Sequence, residues 1–285
     1  MTRAASASPR NGLPVLLPYR VPEPARFAGG IAPGMLVACI IGAVLLVDVA
    51  AAQTSARPSG SIPALLVRWA PLLLQGFALN LLISAFAMAI GTAAGLALGL
   101  AQISRPFLLR KAAWTATQFF RNAPWLVLLF FVMFLVPFQV RIGGMTIPLP
   151  DSMKATIGFA LPVMANMSEI LRGAVRSVPT AQWEAADSLA FTPRQTMWMI
   201  ILPQCVKRMI PPWMNLYSLV TMATVQASIV GVTEMLTLTS EVHAAEGSRP
   251  ELFAPLYGFA LLCFFLYCYP IDRWTARLER RFGVA

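Results

Sequence analysis

Few residues in this chain are equipped for reaction chemistry. Its 285 residues include one histidine, His243, and four cysteines, Cys39, Cys205, Cys263 and Cys268. No CxxC pair or cluster of ligand residues has metal-binding spacing, so no metal site is expected. No GxxxxGK[ST] loop is present to cradle nucleotide phosphates. Three cysteines lie in apolar runs and read as small buried side chains rather than disulfide partners. No nucleophile motif accompanies the histidine, which argues against an enzyme. What remains is a sparse set of polar side chains inside long apolar stretches. Asn166, Thr224, Gln226 and Asn80 lead this set, with Ser168, Thr221, Ser228 and Gln118 behind them. Polar groups are costly in such surroundings, which makes them candidates for a solute path. Glu169 and Arg172, three apart on one helix face, read as a structural ion pair.

The elements that must position these groups are membrane spans. Hydrophobic residues make up 58% of the chain and charged residues 12%, with a mean hydropathy of +0.68. A soluble domain carries about 25% charged residues. A bilayer-crossing helix needs about 20 mainly apolar residues. Six stretches qualify, at 34–52, 71–102, 113–138, 155–175, 212–232 and 252–271. The long second stretch can begin as a helix on the membrane surface. Residues 1–32 read as a disordered segment, 33–71 as an added helix and external loop, 72–273 as the membrane domain and 274–285 as a basic tail.

Charge sets the expected orientation. Arg3, Arg10, Arg20, Arg26, Arg105, Arg110, Lys111, Arg176, Arg194, Lys207, Arg208, Arg273, Arg277, Arg280 and Arg281 fall on one side of the six spans. Arg57, Arg68, Arg141, Lys154 and Arg249 fall on the other, a bias of about three to one that places both termini in the cytoplasm. The net charge of +10 therefore needs no nucleic acid, whose binding proteins gather their cations in one stripe. In the second span Ala87, Gly91, Gly95 and Gly99 recur every four residues and form a smooth face for close helix packing, more readily within one subunit than between two. No internal repeat is visible, so the inverted-repeat signature of secondary transporters is missing.

The loop after the fourth span is too polar to cross a bilayer and reads as a helical hairpin. Pro179 and Thr180 start a short helix that runs through about Leu189. Thr192, Pro193 and Gln195 supply an N-cap, a first-turn proline and a capping-box partner for a second helix, which Pro203 is expected to close. Ala185 and Ala186, following Glu184, leave a narrow smooth surface that can enter a groove on another protein. Trp183, Ala186 and Ala190 share a face suited to rest on the membrane domain. The second helix is too apolar for DNA recognition.

The series Glu184-Ala185-Ala186, then Ala190, then Ile200, Leu202 and Pro203 resembles the EAA signature of binding-protein-dependent ABC importer permeases. Every spacing agrees, with Ala190 standing where that family has glycine. Because alanine resists positive φ, the turn after the first short helix is expected to be displaced or to begin later. Phe120-Arg121-Asn122-Ala123-Pro124-Trp125-Leu126, Ser168-Glu169-Ile170-Leu171-Arg172-Gly173 and Gln182-Trp183-Glu184-Ala185-Ala186 resemble stretches of the branch that imports polar amino acids (histidine, glutamine and opines among them). The similarity covers about 72–273.

That resemblance implies an all-α fold with a five-helix type I importer core, an added N-terminal helix and a cytoplasmic coupling-helix hairpin. It also implies a bacterial inner-membrane location and a second permease, either a copy or a paralogue. ABC ATPase subunits and an external solute-binding protein are the further implied partners. ATP and magnesium would be bound by the ATPase and no cofactor by this chain. Trp183, Glu184, Ala185, Ala186, Leu189 and Ala190 would form the coupling segment. One departure concerns the solute, since the family's usual membrane lysine and aspartate fall on Met222 and Ala223. A less charged or bulkier amino acid derivative, or another small solute, fits that change.

Overall fold

The computed structural model describes residues 61–142 and 145–282. These belong to the second of two compact units, Val47–Ala285. The expected disordered segment at 1–32, the first span at 34–52, Cys39 and Arg57 lie outside the described residues.

The described chain is helical apart from one small hairpin. Helix α1 spans Ile62–Gln102, a length of roughly 60 Å at 1.5 Å per residue. It starts nine residues before the expected span because Pro63 occupies the first turn, where a missing N–H costs nothing. Helices α2 (Phe107–Asn122) and α3 (Trp125–Leu135) correct the third expected span, 113–138. They are not one rod but meet at 106°. Ala123, with φ −72° and ψ 137°, precedes Pro124, and the proline ring drives it out of the helical region.

Strands β1 (Gln139–Ile142) and β2 (Met145–Pro148) pair antiparallel, with Val140 opposite Ile147. This hairpin departs from the all-helical expectation. Its residues lie outside the helix-period pattern and are rich in β-branched types, which suit a pleated surface. Helix α4 (Asp151–Arg176) then runs through the centre, touching α1, α2, α3 and the later helix α7. Helix α5 (Thr180–Ser188) is followed by a short α6 (Pro193–Gln195), a π turn at Thr196–Ile201 and α7 (Leu202–Ala223). Pro203 therefore does not close the second hairpin helix. The π turn widens the ladder just before it, with Leu202 N–H bonded to Met197 O. The proline falls in the first turn of a new α segment, where it is tolerated.

A 3₁₀ segment, Thr224–Val230, carries α7 to Gly231, whose φ of 88° ends it. Helix α8 (Met235–Ala245) follows, an element the sequence pattern did not anticipate. Helix α9 (Pro250–Phe282) is longer than the expected span 252–271, so the expected basic tail is helical as far as Phe282. Among the described residues, two helices are long and apolar enough to cross a membrane, Ile62–Gln102 and Pro250–Arg281. The number rises to four if each bent pair, Phe107–Asn122 with Trp125–Leu135 and Pro193–Val230 with Met235–Ala245, is one span.

One seam holds the centre together. A Cβ on Gly91 would lie 2.4 Å from Val163 Cγ1, and one on Gly95 would lie 2.6 Å from Met164 O. At Gly99 it would lie 3.0 Å from Ser168 O. The glycine face of α1 is thus filled by α4 of the same subunit. Ala87, on the same face, is fully buried in the cluster of Ile83, Met88, Phe159, Val163 and Val220. Backbones this close gain dispersion contacts that a side chain would hold apart. Gly95→Ala is expected to lower stability by about 1–3 kcal/mol through overpacking. Gly258, where a Cβ would meet nothing within 4 Å, is the matched control. Gly258→Ala should leave the thermal unfolding midpoint in detergent unchanged or slightly higher.

Candidate functional site

The hairpin between α4 and α7 is built from local chemistry at both turns. Thr192 accepts a hydrogen bond from Gln195 N at 3.4 Å, and Gln195 Oε1 accepts from Thr192 N at 2.8 Å, a complete capping box. The end of α5 is a Schellman turn. Ala190 N–H donates to Asp187 O at 3.0 Å, and Phe191 N–H donates to Ala186 O at 3.1 Å. Ala190 has φ 58°. The turn therefore sits where a glycine would put it, and the expected displacement does not occur. The tertiary contacts of the hairpin hold alanine in the left-handed region, at a cost of about 1–2 kcal/mol.

Docking of the hairpin decides which of its residues face outward. Ala186 is 1% exposed. Trp183, half-buried, packs on the cluster of Leu171, Val175, Val178, Ile201 and Cys205. Arg208 ties the base of the hairpin to α4 by donating to Ser177 O and to Ser177 Oγ at 2.7 Å. Gln204 Nε2 donates to Ile200 O at 2.9 Å. Ala186 is therefore unavailable as part of a smooth outer surface, since an alanine at the contact with the domain is what lets the helix lie close. Ala190 is exposed and does not rest on the membrane domain. The outward face carries Glu184, Ala185, Ser188 and Leu189, and Leu189 is 72% exposed.

The polar candidates inside the membrane domain separate into different environments. Asn80, from α1, and Thr224, from the 3₁₀ segment, are fully buried and meet each other, with Asn80 Nδ2 donating to Thr224 Oγ1 at 3.0 Å. Both belong to a node around Glu234, which is also fully buried. Asn80 Nδ2 donates to Glu234 Oε2 at 2.9 Å, and Asn80 Oδ1 accepts from Met235 N at 3.2 Å. Glu234 Oε1 accepts from Leu236 N and Thr237 N, capping α8. Asn80 and Thr224 are thus engaged in joining α1, the 3₁₀ segment and α8, rather than facing a solute path.

Asn166 and Gln226 are not brought to that node. Asn166, partly buried, donates to Pro162 O at 2.8 Å. Gln226, also partly buried, has a buried Oε1 without a protein partner. Arg172 Nε donates to Glu169 Oε1 at 3.1 Å, and its Nη2 meets Glu169 Oε2. Arg121, from the end of α2, adds a second cation 3.5 Å from Glu169 Oε2. Two cations on one carboxylate leave this cluster net positive. A further buried knot joins Gln102, Thr117 and Ser168 across α1, α2 and α4, at 2.8, 3.1 and 2.9 Å.

Sequence reading missed Glu234, Arg121 and the pair Gln102–Thr117. A carboxylate just before the apolar run Met235–Leu236 was a usable cap signal. No spacing could reveal Gln102 and Thr117, whose partner Ser168 lies on a third helix. Among the described residues no group of three or more His, Cys, Asp and Glu side chains could hold a metal ion.

The family of binding-protein-dependent transport system inner membrane components matches residues 91–284. This chain belongs to that family. The match takes in most of the glycine seam, the Arg121–Glu169–Arg172 cluster, the hairpin and Glu234. The probable amino-acid ABC transporter permease protein YckA of Bacillus subtilis (strain 168) is 35% identical over 214 residues, covering 75% of this chain and 90% of the relative. The L-cystine transport system permease protein TcyB of the same strain is 29% identical over 212 residues, covering 74% of this chain and 86% of the relative. A solved amino acid ABC transporter with histidines has the same fold, with a TM-score of 0.65 at 22% identity. That likeness covers 76% of this chain and 96% of the solved one. The membrane component is therefore a multi-pass inner-membrane protein.

Two outcomes are expected of the site's internal bonds. Asn80→Ala leaves Glu234 and Thr224 without their shared donor and should lower stability by about 1–3 kcal/mol, read as a lower unfolding midpoint in detergent. Ala190→Gly should relieve up to about 1 kcal/mol of backbone strain, read as slower proteolysis of the hairpin under limiting protease.

Proposed function

We propose that this chain is the permease subunit of an ATP-driven importer and passes amino acids or their derivatives across the inner membrane. The observation that carries the reading is the docked hairpin with Glu184, Ala185, Ser188 and Leu189 turned outward. Its inner face is locked to α4 and α7, so a push on the outer face moves the membrane helices with it. ABC ATPase subunits dock there from the cytoplasm and bind the ATP and magnesium. The helix Thr180–Ser188 is the coupling helix. A second permease, a copy or a paralogue, completes the pathway, and an external binding protein delivers the solute. Both termini lie in the cytoplasm, and the five-helix core is preceded by an added span.

Solute contact falls to Asn166 and Gln226, whose amides retain hydrogen-bonding capacity, with the net-positive cluster of Glu169 and Arg172 on α4, near Asn166 in the chain, and Arg121 on α2. YckA and TcyB, named for amino acid and cystine transport, favour an amino acid cargo. Met222 is 48% exposed and Ala223 half-buried where charged residues were expected. That favours a less charged derivative. A permease of the same architecture for another small solute is the second reading, favoured by the same two positions.

Two measurements test this. Proteoliposomes holding the assembled transporter should hydrolyse ATP faster when binding protein is added with one class of amino acid. Assembly without stimulation by any amino acid moves the cargo elsewhere, and uptake by the chain alone removes the ATPase from the mechanism. Glu184→Lys and Leu189→Glu should reduce ATPase co-purification several-fold with the unfolding midpoint unchanged. Ala186→Glu, which buries a charge, should lower that midpoint as well.

A further inference from the structure

Two adjoining cavities at the foot of the hairpin divide into an apolar and a cationic part. The first, about 520 Å³, lies between α1, α4 and α7, with Leu96, Met167, Leu171, Val206, Met209 and Trp213 among its walls and no charged side chain lining it. The second, about 710 Å³, lies at the end of α1 against α5 and α6, lined by Ser104, Arg105, Asp187, Arg194 and Thr196. Leu100 and Trp198 border both, so the two adjoin along these side chains. Each falls within the roughly 300–1,000 Å³ typical of small-molecule sites.

The cations at the mouth are uncommitted. Among the described residues neither Arg105 nor Arg194 forms an ion pair, and both are exposed. Asp187 is the single carboxylate at the mouth, leaving an excess of one positive charge there. Val206 and Trp198, at the rim of the apolar part, are 56% and 62% exposed. Trp213 turns its one donor away from the cleft, to Thr92 Oγ1 at 2.9 Å. The walls are therefore almost wholly hydrocarbon, with the Trp198 indole N–H as a polar group at the rim.

We infer that the paired cavities are a binding site for an anionic phospholipid, with acyl chain in the Leu96–Val206–Trp213 cleft and headgroup phosphate at Arg105 and Arg194. A polar amino acid would gain nothing from the apolar part. A second copy of this chain could fill the cleft but would leave two arginines without an anion. An acidic surface on an ATPase could meet the arginines but would leave the cleft unfilled. An amphiphile with a negative head satisfies both, as basic pockets at the ends of transmembrane helices do for cardiolipin-type headgroups. The inference rests on the membrane-permease reading, because it places this end of α1 at the headgroup level of the cytoplasmic leaflet.

The test is native mass spectrometry of the full chain, alone and in the assembled transporter, after incubation with phosphatidylglycerol or phosphatidylcholine. Wild type should retain phosphatidylglycerol about tenfold more than phosphatidylcholine. Arg105→Ala with Arg194→Ala should abolish that preference, and Val206→Trp, which fills the cleft, should reduce retention of both lipids. Equal retention of the two lipids by wild type, or unchanged preference in the double variant, overturns the proposal. So does a disulfide between two chains carrying Val206→Cys, which would make the cleft an interface between copies. Loss of ATPase from the double variant with lipid retention intact assigns the arginines to the ATPase and also overturns it. Retention is read without transport, so solute-stimulated hydrolysis with no lipid preference would defeat this inference and leave the permease reading standing.

Discussion

The close approach of α1 and α4 is the constraint on which the rest of the structure depends. Gly91, Gly95 and Gly99 give α4 room to lie against the α1 backbone, and lipid supplies no hydrophobic drive that could replace this contact. With α4 fixed there, its other sides are available to α2, α3 and α7. The buried knot of Gln102, Thr117 and Ser168 sits at one end of the same seam. It adds direction to a contact that dispersion alone would leave free to slide.

Polar groups elsewhere act as ties between elements far apart in sequence. Glu234 would be expensive to bury alone, yet it takes two backbone N–H donors and the Asn80 amide, so both of its oxygens have hydrogen-bond partners. The result fixes the start of α8 against α1 beside the 3₁₀ turn. At the opposite end of α1, Arg208 and the wedge of Trp183 and Ala186 fix the hairpin to α4. A rigid link of this kind is what a membrane component needs if force applied at α5 is to reach the transmembrane helices.

Proline and glycine positions show how local strain is absorbed. Pro124 breaks a stretch that reads as one span, because the residue before it must be extended. Pro203 breaks nothing, because a π turn precedes it. Ala190 adopts the conformation of the glycine it replaces, since two Schellman hydrogen bonds and the docked faces on either side outweigh its left-handed penalty.

The amino-acid sequence by itself determined that the chain is a membrane protein, where most apolar helices lie, the capped hairpin and the EAA-like spacing. These follow from hydropathy over a window and from interactions at i, i+3 and i+4, which are local. It also placed Glu169 beside Arg172, three residues on. Only the tertiary structure decided that Asn80 meets Thr224 and Glu234 across 144 and 154 residues, that Arg121 joins Glu169, and that Ala186 faces inward while Glu184 and Leu189 face out. Those outcomes depend on which helix faces pack together, and that is set by the summed contacts of all the helices rather than by any residue's neighbours in the chain.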